Sequence, residues 1–164
     1  MFGPPGFAYV YLVYGMHECL NVVTEPEGRP AALLIRAVEP LAGAEHMRQA
    51  RLDWTAARYA GQAADRQARG LRRVTDLPAT VLASGPGLVC AAFSIGRDQD
   101  GLDLCDPASP LRLESAPPGE YPRQVASGPR VGIGYAAEPW LTRPWRFWAE
   151  GNQAVSAGAG AGSR

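Results

Sequence analysis

The sequence predicts an α+β fold in one domain, with mostly antiparallel strands. Aromatic and β-branched residues alternate over Phe7–Tyr14, and a second apolar segment, Cys19–Val23, follows after Gly15, so the two predict a β-hairpin. Apolar residues recur at helical spacing from Pro40 to about Arg51. Ser84–Gly87 places serine, proline and glycine in the order that begins a helix. A chain of 164 residues can bury one core but not two ordinary ones.

The remaining elements follow in chain order, with no internal repeat. We predict a domain over residues 1–155 and a disordered tail over 156–164, where the sequence SAGAGAGSR has low complexity. The Asp53–Arg73 segment is rich in arginine and alanine, and is interpreted as either helical or mobile. The Ser84–Gly87 helix extends to about Ser94. Other predicted elements are strands at Ala31–Val38, Asp103–Cys105, Leu111–Glu114, Arg130–Tyr135 and Trp145–Ala149, and loops at 24–30 and 117–129.

Composition is that of a globular protein without a membrane anchor. No apolar run approaches the roughly 20 residues of a membrane-spanning helix, and the first residues lack a secretory signal, so we expect a cytoplasmic protein. The three cysteines have no spacing typical of zinc, and we expect Cys19 and Cys90 to be buried free thiols. No metal or other cofactor is predicted.

The charge balance gives no support to a nucleic-acid partner. Sixteen basic and sixteen acidic residues give a formal charge of zero, whereas nucleic-acid binding ordinarily needs a basic balance or patch. All sixteen basic residues are arginine, whose guanidinium fork suits phosphate and base edges better than an ammonium group does. A GC-rich genome is the favoured explanation of this arginine bias, since alanine, glycine and proline are also abundant.

Three features of the apolar segments are unusual. Arg36 places a charge inside the run AALLIRAV, and the explanations are a function, a position at the edge of the sheet, or a salt bridge to Glu39. Asn21 lies in a predicted strand, where asparagine is depleted; an edge position or a bonded core amide would explain it without a function. The hairpin tyrosines form either a stacking platform for bases or part of the core.

Six segments, taken in order, resemble the successive blocks of the alkyladenine (3-methyladenine) DNA glycosylase family. The resemblance implies a curved, mostly antiparallel sheet with flanking helices and a protruding hairpin that intercalates into DNA. It also implies a base-excision-repair enzyme, here expected to be a monomer. Such an enzyme flips alkylated or deaminated purines out of double-stranded DNA and hydrolyses their N-glycosidic bonds. The segments are MFGPPGFAYVYLVYGMHECLNVV, ALLIRAVEPLAG, EHMRQAR, SGPGLVCAAFSI, RVGIGYA and RPWRFWAEG.

The resemblance also assigns roles to individual residues. Tyr14 matches the tyrosine that enters the duplex, and Met16 and His17 match residues facing the minor groove. An inserted side chain that fills the vacated space is a known way to stabilise a flipped base.

Four further residues match positions around the flipped nucleotide. Tyr11 matches an aromatic residue that stacks on the base, and Asn21 one that disfavours guanine by crowding its amino group. Arg36 matches an arginine near the nucleotide and the attacking water. The backbone carbonyl of Val131 matches one that helps to hold that water.

The family's general-base glutamate matches nothing here, because Met1 aligns with an internal methionine of the family. We therefore expect the chain as written to lack that base and to excise little or no ethenoadenine or hypoxanthine. Two alternatives stay open: a catalytically dead DNA-binding remnant, and a small-molecule-binding α+β domain.

Overall fold

The computed structural model describes residues 1–119 and 124–155. By their contacts the residues divide into two compact units, Met1–Glu114 and Ser115–Arg164. The α+β class and the antiparallel pairing of strands are confirmed. The predicted tail at 156–164 and part of the predicted 117–129 loop lie outside the described residues.

A three-stranded antiparallel sheet forms one layer of the first unit. Its strands are β1 (Ala8–Val13), β2 (His17–Val23) and β3 (Ala32–Leu34), in the order β1-β2-β3. Alternation along β1 buries Val10, which is 1% exposed, while the residues on either side of it stay half-buried. The predicted hairpin is confirmed. The third strand is shorter than predicted, and beyond it Ala37 forms an isolated bridge with Ser84.

Three helices complete the first unit: α1 (Ala44–Arg58), α2 (Ala64–Thr75) and α3 (Pro86–Phe93). The prediction for α3 is confirmed, and α1 begins and ends later than predicted, after Gly43 in a left-handed conformation (φ 70°). The helical interpretation of the Asp53–Arg73 segment is the correct one, because the segment contains the end of α1 and most of α2. None of the described helices is both long and apolar enough to cross a membrane.

An arginine of α1 fastens α2 in place. Arg48 Nη1 donates hydrogen bonds to the carbonyl oxygens of Val74 (3.0 Å), Thr75 (3.0 Å) and Leu77 (2.8 Å) at the C-terminal end of α2. The last carbonyls of a helix lack partners within it and carry partial negative charge, so a cation there satisfies both needs. Elsewhere in the contact between α1 and α2, a Cβ on Gly70 would lie 2.7 Å from the Tyr59 ring. Glycine at this position therefore permits α2 to approach the end of α1 closely.

The core of the first unit has two clusters. One joins the sheet to α3 through Val10, Leu20 and Cys90, and the other packs Leu82 against Met47 of α1 and Val89 of α3. Arg51 is 5% exposed, its Nη1 donates to the Leu82 carbonyl oxygen, and burial lowers its pKa. This arginine, one turn after Met47, is the buried charge of α1.

Two predicted strands of the first unit are wrong. At Asp103–Cys105 the Asp103 carboxylate accepts a hydrogen bond from the Cys105 backbone N–H at 2.8 Å, which closes a turn in place of a ladder. The chain here makes a single bridge, between Asp103 and Phe7. Over Leu111–Glu114, Leu113 N donates to Leu104 O at 2.8 Å without extending into a strand.

The second unit contains a two-stranded antiparallel sheet of β4 (Val125–Gly128) and β5 (Arg146–Ala149). The prediction for β5 is confirmed, but β4 occupies residues predicted as loop. The predicted strand at Arg130–Tyr135 is wrong: Gly132 has φ 81° and Ala136 N donates to Ile133 O at 2.8 Å, so these residues turn. Arg143 lies 4.8 Å from the ring centroids of both Trp140 and Trp145.

The stability of the fold should fall at alkaline pH because of Cys90. This buried free thiol is 2% exposed, and burial, followed by the neighbouring Cys19, raises its pKa from 9.0 to about 12. Because the folded-state pKa is the higher one, its stabilising contribution is complete below pH 9 and lost between about pH 9 and 12. The loss is at most about 1.4 kcal/mol per pH unit.

Urea unfolding at several pH values would measure this effect in the parent chain and in Cys90→Ala. The alkaline decline should be shallower in Cys90→Ala than in the parent chain. Cys105→Ala, which removes the exposed free thiol, is the matched control and should keep the parent slope. Equal slopes in all three proteins would contradict the assignment.

Candidate functional site

The turn between β1 and β2 presents Tyr14 to solvent. The side chain is 80% exposed, and the backbone has positive φ at Tyr14 (53°) and at Gly15 (65°). Met16 N donates to Val13 O at 3.0 Å and closes the turn. Positive φ suits tight hairpin turns and costs glycine nothing, but it costs a bulky residue such as tyrosine about 1–2 kcal/mol. Met16, also predicted at this tip, is 52% exposed.

Tyrosine and asparagine side chains share one face of the hairpin. Tyr9 pairs with Asn21 and Tyr11 with Cys19, so all four side chains point to the same side of the sheet. The Tyr9 and Tyr11 rings stack with centroids 5.2 Å apart and an interplanar angle of 24°. This face begins about 10 Å from Tyr14, since a strand rises roughly 3.3 Å per residue.

Asn21 is fixed by its own strand pair. It is 6% exposed, and its Nδ2 donates to the carbonyl oxygens of Tyr9 (3.0 Å) and Cys19 (3.3 Å). The interpretation of Asn21 as a hydrogen-bonded core amide is therefore correct for its amide nitrogen. A side chain held in this way has one orientation, which is what a residue that discriminates by crowding requires.

Arg36 lies just after β3 and is half-buried. Its charge acts on the Cys19 thiol, where it opposes burial and Glu18, and these two together raise the pKa of Cys19. Because Cys19 pairs with Tyr11 in the hairpin, Arg36 belongs to the same region of the first unit as the two stacked tyrosines.

His17 anchors the hairpin tip to two helices. Its ring stacks on Trp54 of α1 with centroids 5.3 Å apart, and its Nε2 accepts a hydrogen bond from Arg58 Nη1 at 3.2 Å. On α3, a Cβ at Gly87 would lie 2.7 Å from His17 Nδ1 and 2.9 Å from its Cβ. Burial, and then Arg58, lower the pKa of His17 below its ordinary value of 6.5, which favours the neutral ring. We refer to the contact of His17 with Trp54, Arg58 and Gly87 as the His17 wedge.

Val131 lies in the second unit, in the bend between β4 and β5, and its side chain is 47% exposed. The structure thus places Tyr11, Tyr14, Met16, His17, Asn21 and Arg36 in the first unit and Val131 in the second.

Comparison with known proteins identifies the family. A sequence model described as methylpurine-DNA glycosylase matches residues 1–153. The chain belongs to the methylpurine-DNA glycosylase family. Since the match covers more than half of the chain, the resemblance drawn from the six sequence blocks is confirmed.

Individual relatives of this glycosylase-family chain agree, and each is provisionally named a 3-methyladenine DNA glycosylase. A protein of Methanocella arvoryzae is 42% identical over 156 residues, which are 95% of this chain and 64% of that protein. The corresponding values are 38%, 95% and 67% for a protein of Alkaliphilus oremlandii. For one of Anaeromyxobacter dehalogenans they are 42%, 95% and 56%. The chain thus spans about three fifths of the length of these relatives.

The sequence did not indicate Trp54, Arg58 and Gly87 as parts of the candidate site of this methylpurine-DNA glycosylase family member. The signal for the first two was present: Trp54 and Arg58 are four residues apart and share one face of a helix. Gly87 belongs to the SGPG segment, interpreted as a helix start with free amides. The structure gives its lack of a side chain a more specific reason, which is contact with His17.

Substituting Gly87 by alanine should displace His17 and loosen the hairpin. The new methyl group would overlap the His17 Cβ, which the β2 backbone fixes, so strand and helix must separate. We expect a net loss of about 1–2 kcal/mol in unfolding free energy, although alanine is the better helix former. Urea unfolding measures it. Gly3→Ala, where a Cβ would meet nothing within 4 Å, is the control, and equal stability of the two variants would refute the contact.

Proposed function

We propose that the protein is a monomeric base-excision-repair glycosylase that flips alkylated or deaminated purines out of duplex DNA and hydrolyses their N-glycosidic bonds. The observation that carries this proposal is Tyr14, held 80% exposed at the hairpin tip beside a face of stacked tyrosines. Because the chain spans 64% of the first relative's length, hydrolysis is part of the proposal and does not follow from family membership alone.

The conformation of Tyr14 supports an inserting role. Packing does not explain this aromatic residue, since most of its surface is in solvent, and turn chemistry would favour glycine or asparagine at its positive φ. Strain retained at an exposed bulky residue is typical of functional positions. Insertion into the base stack would bury the ring and fill the space left by a flipped nucleotide.

The hairpin face supports recognition of the base. A purine alkylated at a ring nitrogen is cationic, and stacked electron-rich rings attract cations over their faces. Tyr11 would supply such a ring, and the fixed Asn21 amide would crowd the amino group of guanine. Arg36 would contact the nucleotide and the water, and the Val131 carbonyl would help to hold that water.

The recognition part of the proposal is tested by DNA binding. Fluorescence anisotropy would compare the 164-residue chain on a duplex with a tetrahydrofuran abasic-site analogue and on the same duplex undamaged. We expect tighter binding to the duplex with the analogue, because its gap accepts Tyr14 without unstacking a base. Equal affinities would overturn the recognition role.

The hydrolytic part is tested by release of free base. The whole protein should release hypoxanthine or ethenoadenine from a duplex. Arg36→Ala should lower the rate of release, and the loss of transition-state stabilisation calculated from that rate should exceed the loss of unfolding free energy. Lesion binding without base release would contradict the enzymatic role and indicate a DNA-binding protein. Loss of stability with an unchanged rate would make Arg36 structural.

Asn21→Ser should relax discrimination against guanine. The smaller side chain removes the crowding group, and we expect excision of guanine relative to hypoxanthine to rise on the order of tenfold. Excision of the two bases from matched duplexes gives the ratio. The unfolding free energy of the variant serves as control, since two hydrogen bonds are also lost. An unchanged ratio in a folded variant would remove the assignment.

A further inference from the structure

A recess opens beside the hairpin tip. It has a volume of about 540 Å³ and lies between the turn, the C-terminal end of α1 and the first turn of α2. We call it the arginine cleft. Its lining includes Gly15, Met16, Trp54, Arg58, Tyr59 and Arg66.

The arginine cleft is positively charged. Arg58 and Arg66 line it, and none of its lining residues is acidic. Among the described residues, no carboxylate pairs with either guanidinium within 4.0 Å. The total charge of the chain is zero, but the charge at this site is positive, because two guanidiniums line it and no acidic residue does.

Aromatic rings hold both guanidiniums. Arg58 lies 5.1 Å from the Trp54 ring centroid, and its Nη2 donates to Met16 Sδ at 3.6 Å. Arg66 lies 5.9 Å from the Tyr59 centroid. Because guanidiniums already cover these rings and His17 also stacks on Trp54, the cleft is better suited to an anion than to a stacked base.

Its position indicates which anion. Gly15 and Met16 line the cleft and directly follow Tyr14 in sequence. A duplex that receives Tyr14 brings its backbone alongside, and DNA carries one negative charge per about 1.7 Å of axis. Guanidinium forks bind phosphate oxygens in pairs, with charge assistance.

We infer that the arginine cleft binds a backbone phosphate of the DNA near the lesion, with Arg58 and Arg66 as its ligands. The inference rests on the proposed function, because it requires the duplex at Tyr14. The inference gives the arginine-rich segment a role. Arg48 holds α2 against α1, and α2 in turn positions Arg66 for contact with the DNA.

The salt dependence of DNA binding tests the inference. Arg66→Gln should lower the slope of log affinity against log salt by about 0.9, the value for one phosphate contact. Between 50 and 200 mM salt this is about a 3.5-fold smaller loss of affinity. Arg69→Gln is the matched control, since Arg69 is exposed on the same helix and does not line the cleft. Equal slopes for the two variants would overturn the inference.

Single neutral methylphosphonates, placed in turn at each position near the abasic-site analogue, locate the contact. The parent chain should lose affinity at one position where Arg66→Gln is insensitive, while Arg69→Gln stays sensitive. Sensitivity of all three proteins at every position would overturn the phosphate assignment. A parent chain that does not prefer the damaged duplex refutes the proposed recognition. A preference for the damaged duplex together with a salt slope that Arg66→Gln leaves unchanged refutes the cleft alone. If the parent chain binds no duplex, both are refuted.

Discussion

Replacing Tyr14 by alanine should weaken binding to a duplex with an abasic-site analogue roughly 5- to 150-fold. This range corresponds to about 1–3 kcal/mol, the usual contribution of an aromatic ring stacked on a base. Binding to undamaged duplex should change less, because an intact stack has no gap for the ring. The fold should keep its stability, because the side chain makes little contact and alanine has the same Cβ penalty as tyrosine at this positive φ. Anisotropy on the two duplexes measures both affinities.

Tyr135 provides the matched control for this substitution. It is 85% exposed and lies in a turn of the second unit, so Tyr135→Ala removes the same ring at a similar exposure. We expect the control to bind like the parent chain. If both variants lost the same affinity, a general effect of exposed tyrosines would explain the result, and Tyr14 would have no special role.

Replacing Arg48 by methionine should cost about 2–3 kcal/mol of unfolding free energy. One guanidinium nitrogen serves three carbonyls at the end of α2, and hydrogen bonds to charged groups contribute about 1.5–3 kcal/mol. Methionine keeps the unbranched apolar stem and removes only the charged head. Urea unfolding followed by far-ultraviolet circular dichroism measures the loss.

Glu45 separates this effect from ordinary surface charge pairing. Its carboxylate lies 3.7 Å from Arg48 Nε, but the side chain is 84% exposed, and exposed ion pairs contribute about 0–1 kcal/mol. Glu45→Gln should therefore leave stability nearly unchanged. A loss equal to that of Arg48→Met would show that the ion pair, and not the capping of α2, carries the energy.

The sequence predicted those strands and helices whose residue pattern alone specifies the structure, without contacts from distant segments. β1, β2 and α3 have clear alternation or helix-start chemistry, and all three were found near their predicted bounds. The errors at Asp103–Cys105 and Arg130–Tyr135 have a common cause. Apolar residues at strand-like spacing were overridden by an aspartate that bonds its own backbone, and by Gly132 at positive φ.

For the candidate site, the unusual residues were visible in sequence but their partners were not. Asn21 and Arg36 stood out as polar groups in apolar segments, whereas Arg51, which is as buried as Asn21, did not. Its position four residues after Met47 and four before Thr55, both also buried, was the available signal. The arginine cleft could not be predicted, because it depends on how α1, α2 and the hairpin tip come together.

The His17 wedge determines when the hairpin becomes ordered. Because Trp54, Arg58 and Gly87 hold the tip in the free protein, the entropy of ordering it is lost during folding and not when DNA arrives. A preorganised contact of this kind prolongs the residence time of a complex more than it speeds encounter. In the proposed complex, these three residues would therefore act on how long Tyr14 stays between the bases.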